Sequence, residues 1–557
     1  MLTPVIGATK DVEQGSDRTP IVERFGILAC FITLCVLAFT RNVNWDEFHF
    51  LSFVHAWLDG RLDRPMQTGF VYAFGWLKGL PGHEIDQIIA ARLVMVGCVA
   101  LTALSVHRIA RHFTNQRYAS FAVLAFLCSG FVLAHGGSFR SDPIAAALLT
   151  SALALSMTTK LSAWQVFAIS LLTALAFLVT IKSALYLPCF LGVLIWRAGD
   201  RAALMKLTIA LVLAGVSFWI LYGLHAAGLV IAEGKDTATT ASSAVKTTLL
   251  SDRFFPRADT ILSWALFSLP QLALAAIAIY LSGKSRLTVV VLLFCAPLLC
   301  VVIYRNAYVY FFPFAAPLLM VAVAVAAQKL ATVKMLERFG LAMLAAAAVQ
   351  LVLIAPENAR TQRATLTEIH RLFDQPVPYI DGYGMVASFQ NTSFFTSSWG
   401  VAKYRAKGVP VFVDIIETQQ PPLLIAHRRP LGAAMVEETY RDDDLDLLLA
   451  DRTTLRASYI HYSGSIWLAG IEVENAGAAQ RARLPFPGRY RLEADVNVRI
   501  NATTLAPGES INLEARDIFV EGPAGTKLRL IWDTGVEPIS RDALGRDMFV
   551  GFKRLVL

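Results

Sequence analysis

The chain has 557 residues, 55% of them hydrophobic and only 17% charged, with a mean hydropathy of +0.53. That composition excludes an ordinary soluble enzyme of this length, which has no use for so much apolar surface. The formal charge of +8 is spread through connecting segments and reads as membrane topology, not as nucleic-acid affinity.

Residues 1–20 are polar and show no signal-peptide core, so the first apolar segment is expected to stay as an anchor behind a cytoplasmic N-terminus, residues 1–24. A spanning helix needs about 20 mostly apolar residues. Segments near 25–40, 88–107, 118–134, 143–159, 164–181, 183–197, 207–231, 260–282, 287–303, 307–327 and 339–355 qualify, which predicts about eleven spans. Alternate loops carry the basic residues: Arg108, Arg111 and Arg117; Lys160; Arg197, Arg201 and Lys206; Lys284 and Arg286; Lys329, Lys334 and Arg338. The short loops between them hold one base each, namely Arg140, Lys182 and Arg305. The bias puts the N-terminus inside, and an odd span count then puts the chain beyond residue 355 outside the cytoplasm.

Two outer loops are long, 41–87 and 232–259. In the first, Phe48, Leu51, Val54, His55 and Leu58 recur at helical spacing, and Phe70–Leu80 is a second aromatic stretch; both read as helices lying in the membrane interface. The second mixes Thr, Ser and Ala with Phe254-Phe255-Pro256 and reads as a mobile loop or lid. After Pro356 the pattern becomes that of a soluble domain. A polar helix is expected over 357–375. Strands follow at Val377–Ile380, Val409–Val413 and Pro422–Ala426, with helices at 396–407 and 440–451. From Ile466 the alternation is all-β, with strands in 490–500, 510–513, 517–520 and 527–532. The expected organisation is a transmembrane region over 25–355, a small α/β region over 356–465 and a β-sandwich over 466–557. All seven cysteines, Cys30, Cys35, Cys98, Cys128, Cys189, Cys295 and Cys300, lie in the apolar segments, which leaves no disulfide framework and no CxxC metal motif.

Chemistry is expected where charges collect at the outer ends of spans. The acids there are Asp46, Glu47 and Asp142, the bases Arg140, Lys182 and Arg305, with His49 and His135 nearby in sequence. Ionisable groups at that depth are costly unless paired or functional. Arg and Lys can hold a phosphate-bearing lipid as counter-charges, Arg bidentately. A carboxylate can take a proton from an acceptor hydroxyl or orient a divalent cation.

These pieces resemble a known group, the GT-C glycosyltransferases, in the branch of protein O-mannosyltransferases and lipid A aminoarabinose transferases. The likeness rests on Asp46-Glu47 opening the first outer loop, the interfacial helices after it, and Phe139-Arg140-Ser141-Asp142-Pro143 starting a span. Thr180-Ile181-Lys182 between two spans and Tyr304-Arg305-Asn306-Ala307-Tyr308-Val309-Tyr310 complete it. Ser183-Ala184 follow the lysine where that family often has glycine and proline. The resemblance implies a multi-pass helical membrane enzyme with an extracytoplasmic C-terminal domain. It would move a hexosyl or pentosyl group from a polyprenyl-phosphate donor to a glycan, lipid or protein, with inversion. Asp46 would then be the general base or a metal-linked acid, supported by Glu47 and Asp142. Arg140, Lys182 and Arg305 would hold the donor phosphate. His49, His135, Tyr304 and Tyr308 would touch sugar or acceptor. A divalent cation, Mg or Mn, held by Asp46 and Asp142 is one option for a cofactor.

Plainer roles compete with each of these. Asp46 could be a helix N-terminal charge, Arg140 and Asp142 a capping ion pair, Lys182 and Arg305 snorkelling cations, and Tyr304, Tyr308 and Tyr310 an interfacial aromatic belt. Two other functions compete as well. A transporter or flippase of lipid-linked precursors would show internal repeats and charges near the midplane, whereas these charges cluster at one face. A non-enzymatic scaffold for envelope assembly leaves the one-sided acids and bases without a role.

Overall fold

The computed structural model describes residues 21–230, 254–330, 332–354, 359–440, 443–474 and 477–549. Residues 1–20 and most of the expected outer loop at 232–259 lie outside the described residues.

The first helix, α1 (Ile21–Thr40), shows why this part of the chain lives in a membrane. Ile21, Phe25, Leu28, Ile32, Val36 and Phe39 recur every three or four positions and are each more than half exposed. A continuous apolar stripe with no protein partner is a lipid-facing surface. After α2 (Trp45–Leu58) come α3 (Glu84–Ala110), α4 (Gln116–Leu127), α5 (Ser141–Ser156), α6 (Ala163–Val179), α7 (Leu187–Trp196) and α8 (Arg201–Ala227). The helical part ends with α9 (Ala258–Phe267), α10 (Leu269–Ser282), α11 (Arg286–Leu299), α12 (Leu319–Leu330) and α13 (Val333–Ile354). Among the described residues, four helices (α1, α3, α8 and most of α13) are long and apolar enough to cross a membrane, so the chain is an integral membrane protein. The bent pair α9–α10 makes a fifth if it is one span.

The expected count of about eleven is therefore not reached by length and composition. The reason is local. The segments at 164–181 and 183–197 are separated by an extended Thr180 and a 3₁₀ turn, Ile181–Tyr186. α9 and α10 meet at 85°, with Pro270 in the first turn of α10, where its missing N–H costs nothing but the preceding helix must stop. The remaining apolar helices are 10–17 residues long.

Beyond the membrane part, α14 (Ala359–Leu372) leads into two sheets. Their strands are β1 (Pro378–Asp381), β2 (Gln390–Asn391), β3 (Leu423–Ile425), β4 (Tyr459–Ser463), β5 (Ile466–Glu474), β6 (Gln480–Arg483), β7 (Gly488–Glu493), β8 (Val498–Ile500), β9 (Thr503–Leu505), β10 (Ser510–Leu513), β11 (Asp517–Glu521) and β12 (Lys527–Trp532). The larger sheet runs β10-β7-β12-β5-β3-β1-β2, with β4 also on β5; β1 is parallel to both β2 and β3. The second sheet is β6-β11-β8-β9. Leu492, Leu528 and Leu530 of the first sheet pack with Val498, Ile518 and Val520 of the second, the sandwich core expected after residue 466. The boundary expected at 465/466 is crossed by one continuous sheet, because β3 pairs antiparallel with β5. The strand expected at Val409–Val413 is instead the entry to a helix, Phe412–Gln419. The Asp451 carboxylate accepts the N–H groups of Val411 and Phe412 at 3.0 and 2.8 Å, which caps that helix from outside.

The two parts share a core. Phe48, Leu51, Val54, Ile88 and Phe139 of the membrane part pack with Leu366, Ile369, Tyr379, Met385 and Ile466 of the C-terminal part. Hydrogen bonds reinforce it. Gln362 on α14 bonds both the N–H and the C=O of Val43, between α1 and α2, and also reaches Met548. Glu84, the first residue of α3, accepts from His370 and Ser388. Acids favour a helix N-terminus, so the start of α3 is a natural anchoring point for basic groups of α14.

Candidate functional site

Asn44 fixes the start of α2. Its side chain accepts from the Asp46 N–H, and Glu47 reaches back to the Asn44 N–H at 2.9 Å, a reciprocal cap. Successive helix residues point about 100° apart, so the two acids part company here. Glu47 turns inward and is 1% exposed. It takes a two-pronged bond from Arg92 at 2.8 and 2.6 Å and a third from the Phe139 N–H at 2.8 Å. Burial alone would raise the Glu47 carboxyl, but Arg92 and the Asn44 and Phe139 N–H groups hold it below the usual carboxylate range. Arg92 also donates to the C=O groups of Ala38, Arg41 and Asn42 and so caps α1, which has no base in its own last turn. Glu47 and Arg92 are thus the frame that joins α1, α2, α3 and the Phe139–Arg140 loop. Sequence reasoning placed Glu47 with the catalytic acids and overlooked Arg92. A single arginine inside the apolar segment 88–107 was the signal available.

Asp46 points the other way, into a cluster. Arg140, preceding α5, bonds Asp46 directly and lies 3.4 Å from Asp142. Lys182, in the 3₁₀ turn after α6, bonds the other oxygen of Asp142 at 2.6 Å. Above them lies Tyr310, whose ring centroid is 3.4 Å from the Arg140 guanidinium carbon and 5.2 Å from the Lys182 ammonium. Asp46 is the most accessible of the four ionic side chains at 17% exposure, against 8% for Arg140, 2% for Asp142 and 9% for Lys182. Asp142 is the hidden member, seated between the two cations and holding both.

Of the other expected site residues, Tyr308 reaches this centre, its ring centroid 5.8 Å from that of Tyr310. Arg305 is half-buried in the turn that leads from the end of α11 to Tyr308 and Tyr310. Tyr304 is buried against Phe311, with no hydrogen-bond partner for its hydroxyl among the described residues. Tyr308 is covered by Arg257, a base overlooked in the sequence, whose guanidinium lies 4.2 Å from the ring centroid and bonds the hydroxyl. His135 accepts at Nε2 from the Arg41 guanidinium at 3.3 Å. His49, one turn after Asp46, stacks on Phe395 of the C-terminal part at 3.9 Å. Burial, then the charge of Arg64, push it down to about 3, so it is neutral.

The donor set does not suit a divalent cation. Mg and Mn sites need several oxygen ligands. Here the two candidate acids are each paired with a base, and among the described residues no group of three or more His, Cys, Asp or Glu is placed to hold a metal.

The arrangement, a helical membrane part with acids and bases at one end and a C-terminal sheet domain packed over that end, is the GT-C fold, named for membrane glycosyltransferases. Solved structures carry the same fold. The chain is similar to ArnT from Cupriavidus metallidurans bound to undecaprenyl phosphate, with a TM-score of 0.52 and 12% identity over 72% of this chain and 92% of that one. It is also similar to the Archaeoglobus fulgidus oligosaccharyltransferase. The apo form gives a TM-score of 0.51 at 10% identity, covering 90% of this chain and 94% of that one. The same enzyme in complex with Zn and sulfate gives 0.50 at 11% identity, covering 94% and 98%. No protein-family model matches the chain, and no curated protein sequence does.

Proposed function

We propose that the chain is a membrane glycosyltransferase that moves a sugar from a polyprenyl-phosphate donor to an acceptor hydroxyl outside the cytoplasm. One observation carries this reading: Asp46, Arg140, Asp142 and Lys182 meet in a single cluster under Tyr310, on the face covered by the C-terminal domain. The donor phosphate takes the N–H groups of Arg140 and the ammonium of Lys182, which Asp142 holds in place. That contact competes with the Arg140–Asp46 bond and leaves the accessible carboxylate ready to accept a proton. The acceptor oxygen attacks the anomeric carbon, the bond from that carbon to the phosphate oxygen breaks, and the acceptor proton passes to Asp46. The cations stabilise the charge that collects on the departing phosphate. One displacement without a covalent intermediate inverts the anomeric centre. Arg257 extends the basic rim at Tyr308, and Arg305, in the turn before it, is assigned to the same donor phosphate. The coverage of the site by the C-terminal domain, the basic inner loops and the undecaprenyl phosphate bound by the ArnT neighbour all support the reading.

The test is a transfer assay of the purified full-length protein with a panel of polyprenyl-phosphate sugars and an acceptor extract of the envelope. Release of polyprenyl phosphate coupled to acceptor labelling is expected. Binding of the lipid with no turnover on any sugar would favour a carrier over an enzyme.

A further inference from the structure

Beside the ionic cluster lies a cleft of about 480 Å³ between α2 and the C-terminal domain, in the usual size range of ligand sites. Its position in the sheet is informative. β1 lies between β2 and β3, parallel to both, so the chain leaves β1 for one side and returns on the other. In parallel α/β sheets, ligands sit outside the carboxyl ends of strands at such a reversal. Those ends converge here: Asp381 closes β1 and lies 3.3 Å from His427, two residues past β3. The loop after β1 then approaches α2 closely. Gly384 has φ +69°, and a Cβ there would meet Ser52 at 3.1 Å.

The wall opposite is one face of α2. Asp46, His49, Phe53 and Ala56 are spaced 3, 4 and 3 residues apart, and the last three line the cleft. His49 is about 4.5 Å of helix rise from Asp46, so the cleft begins where the ionic cluster ends. Its lining mixes rings (His49, Phe53, Phe395) with polar and charged groups such as Gln390, Asp63 and Arg64. Neutral His49 offers one donor or acceptor on each ring nitrogen.

We infer that this cleft is the acceptor site and that its occupant is an oligosaccharide. A pyranose has an apolar C–H face and a rim of hydroxyls, and both need partners on burial. Rings beside amide, hydroxyl and charged groups supply them. A lipid tail would find too many polar groups. A peptide docking as an added strand would need a long free edge, and the edge strand β2 has only two residues. The inference rests on the reading of Asp46 as the base: an oligosaccharide in the cleft brings its terminal hydroxyl to that carboxylate.

The test uses the full-length protein in nanodiscs, applied to an array of oligosaccharides and to an array of unglycosylated peptides, with undecaprenyl phosphate binding measured separately. Binding to an oligosaccharide class is expected, weakened at least tenfold by Phe395→Ala. A second variant, Gln390→Trp, fills the cleft from an exposed position without removing packing and should abolish it. Both variants should hold undecaprenyl phosphate as the wild type does, which shows them folded. Absence of oligosaccharide binding, binding of peptides instead, or wild-type binding by both variants would overturn the proposal. Failure of the wild type to hold undecaprenyl phosphate while oligosaccharide binding follows the cleft variants would instead break the donor reading and leave the cleft a glycan site.

Discussion

The Arg140 guanidinium lies over the ring of Tyr310, its central carbon 3.4 Å from the ring centroid. A guanidinium held this way keeps its N–H edge free for acids and phosphates while its face is shielded from water. Tyr310→Leu should remove that support and weaken undecaprenyl phosphate binding by about 0.5–2 kcal/mol, roughly 2- to 30-fold. Tyr310→Phe should retain most of it, since the face of the ring does the holding. Equal affinity for all three proteins would make Tyr310 part of an aromatic belt only.

Asp46→Asn should lower transfer by about 10²–10⁴-fold while leaving donor binding and thermal stability near wild type. The side chain is partly exposed and its loss strands no buried charge apart from Arg140, which keeps Asp142. Single-turnover measurements with bound donor separate the chemical step from binding. A wild-type rate in this variant would remove the base from the mechanism.

Chelation is expected to be silent. With Asp46 and Asp142 each occupied by a base, prolonged EDTA treatment should leave the transfer rate unchanged, and added Mg or Mn should not raise it. Loss of activity in EDTA, restored by one of these ions, would show that the ion pairs give way to a metal in the working enzyme.

The residues that meet in the cluster were visible in the sequence as charges at the outer ends of spans, because such charges are rare enough to stand out. Which of two adjacent acids faces the site was not visible. Asp46 and Glu47 differ by one position, and only the cap made by Asn44 and the location of Arg92 sets the rotation of α2. Tyr310 stood in a motif with Tyr304 and Tyr308, and no periodicity separates a ring over a guanidinium from a ring in the interface. The C-terminal strands after residue 466 were legible from alternation. Their union with β1–β3 was not, because the β3–β5 pairing links segments about forty residues apart.

The joint between α14 and α3 should respond to pH. Burial lowers the affinity of His370 for a proton, but the hydrogen bond and charge of Glu84 outweigh it, so its folded pKa is raised above the ordinary 6.5. A raised histidine gives stability that is fully present below 6.5 and is lost as pH rises through the folded value. Hydrogen exchange of 359–372 should therefore be slower at pH 6 than at pH 9 after correction for intrinsic rates. His370→Gln should remove the difference; a difference that persists would locate the titration elsewhere.

The pair of Glu47 and Arg92 should behave oppositely to Asp46. Both side chains are nearly inaccessible, and each is satisfied only by the other and by backbone groups at the α1–α2 joint and at Phe139. Removing one member leaves a buried charge without its partner, at a cost of about 3–5 kcal/mol. Glu47→Ala should thus lower thermal stability well beyond Asp46→Asn, and should lower transfer as well, because the Phe139 N–H that positions Arg140 loses its acceptor. Replacing a buried ion pair by apolar residues is often harmless, but Arg92 also bonds three carbonyls, Ala38 in the last turn of α1 and Arg41 and Asn42 just after it. The double variant Glu47→Leu/Arg92→Met should accordingly remain less stable than wild type, since those carbonyls stay unsatisfied. Full recovery in the double variant would show that only the charge balance matters there, and that the carbonyl contacts of Arg92 contribute nothing to the frame beneath the site.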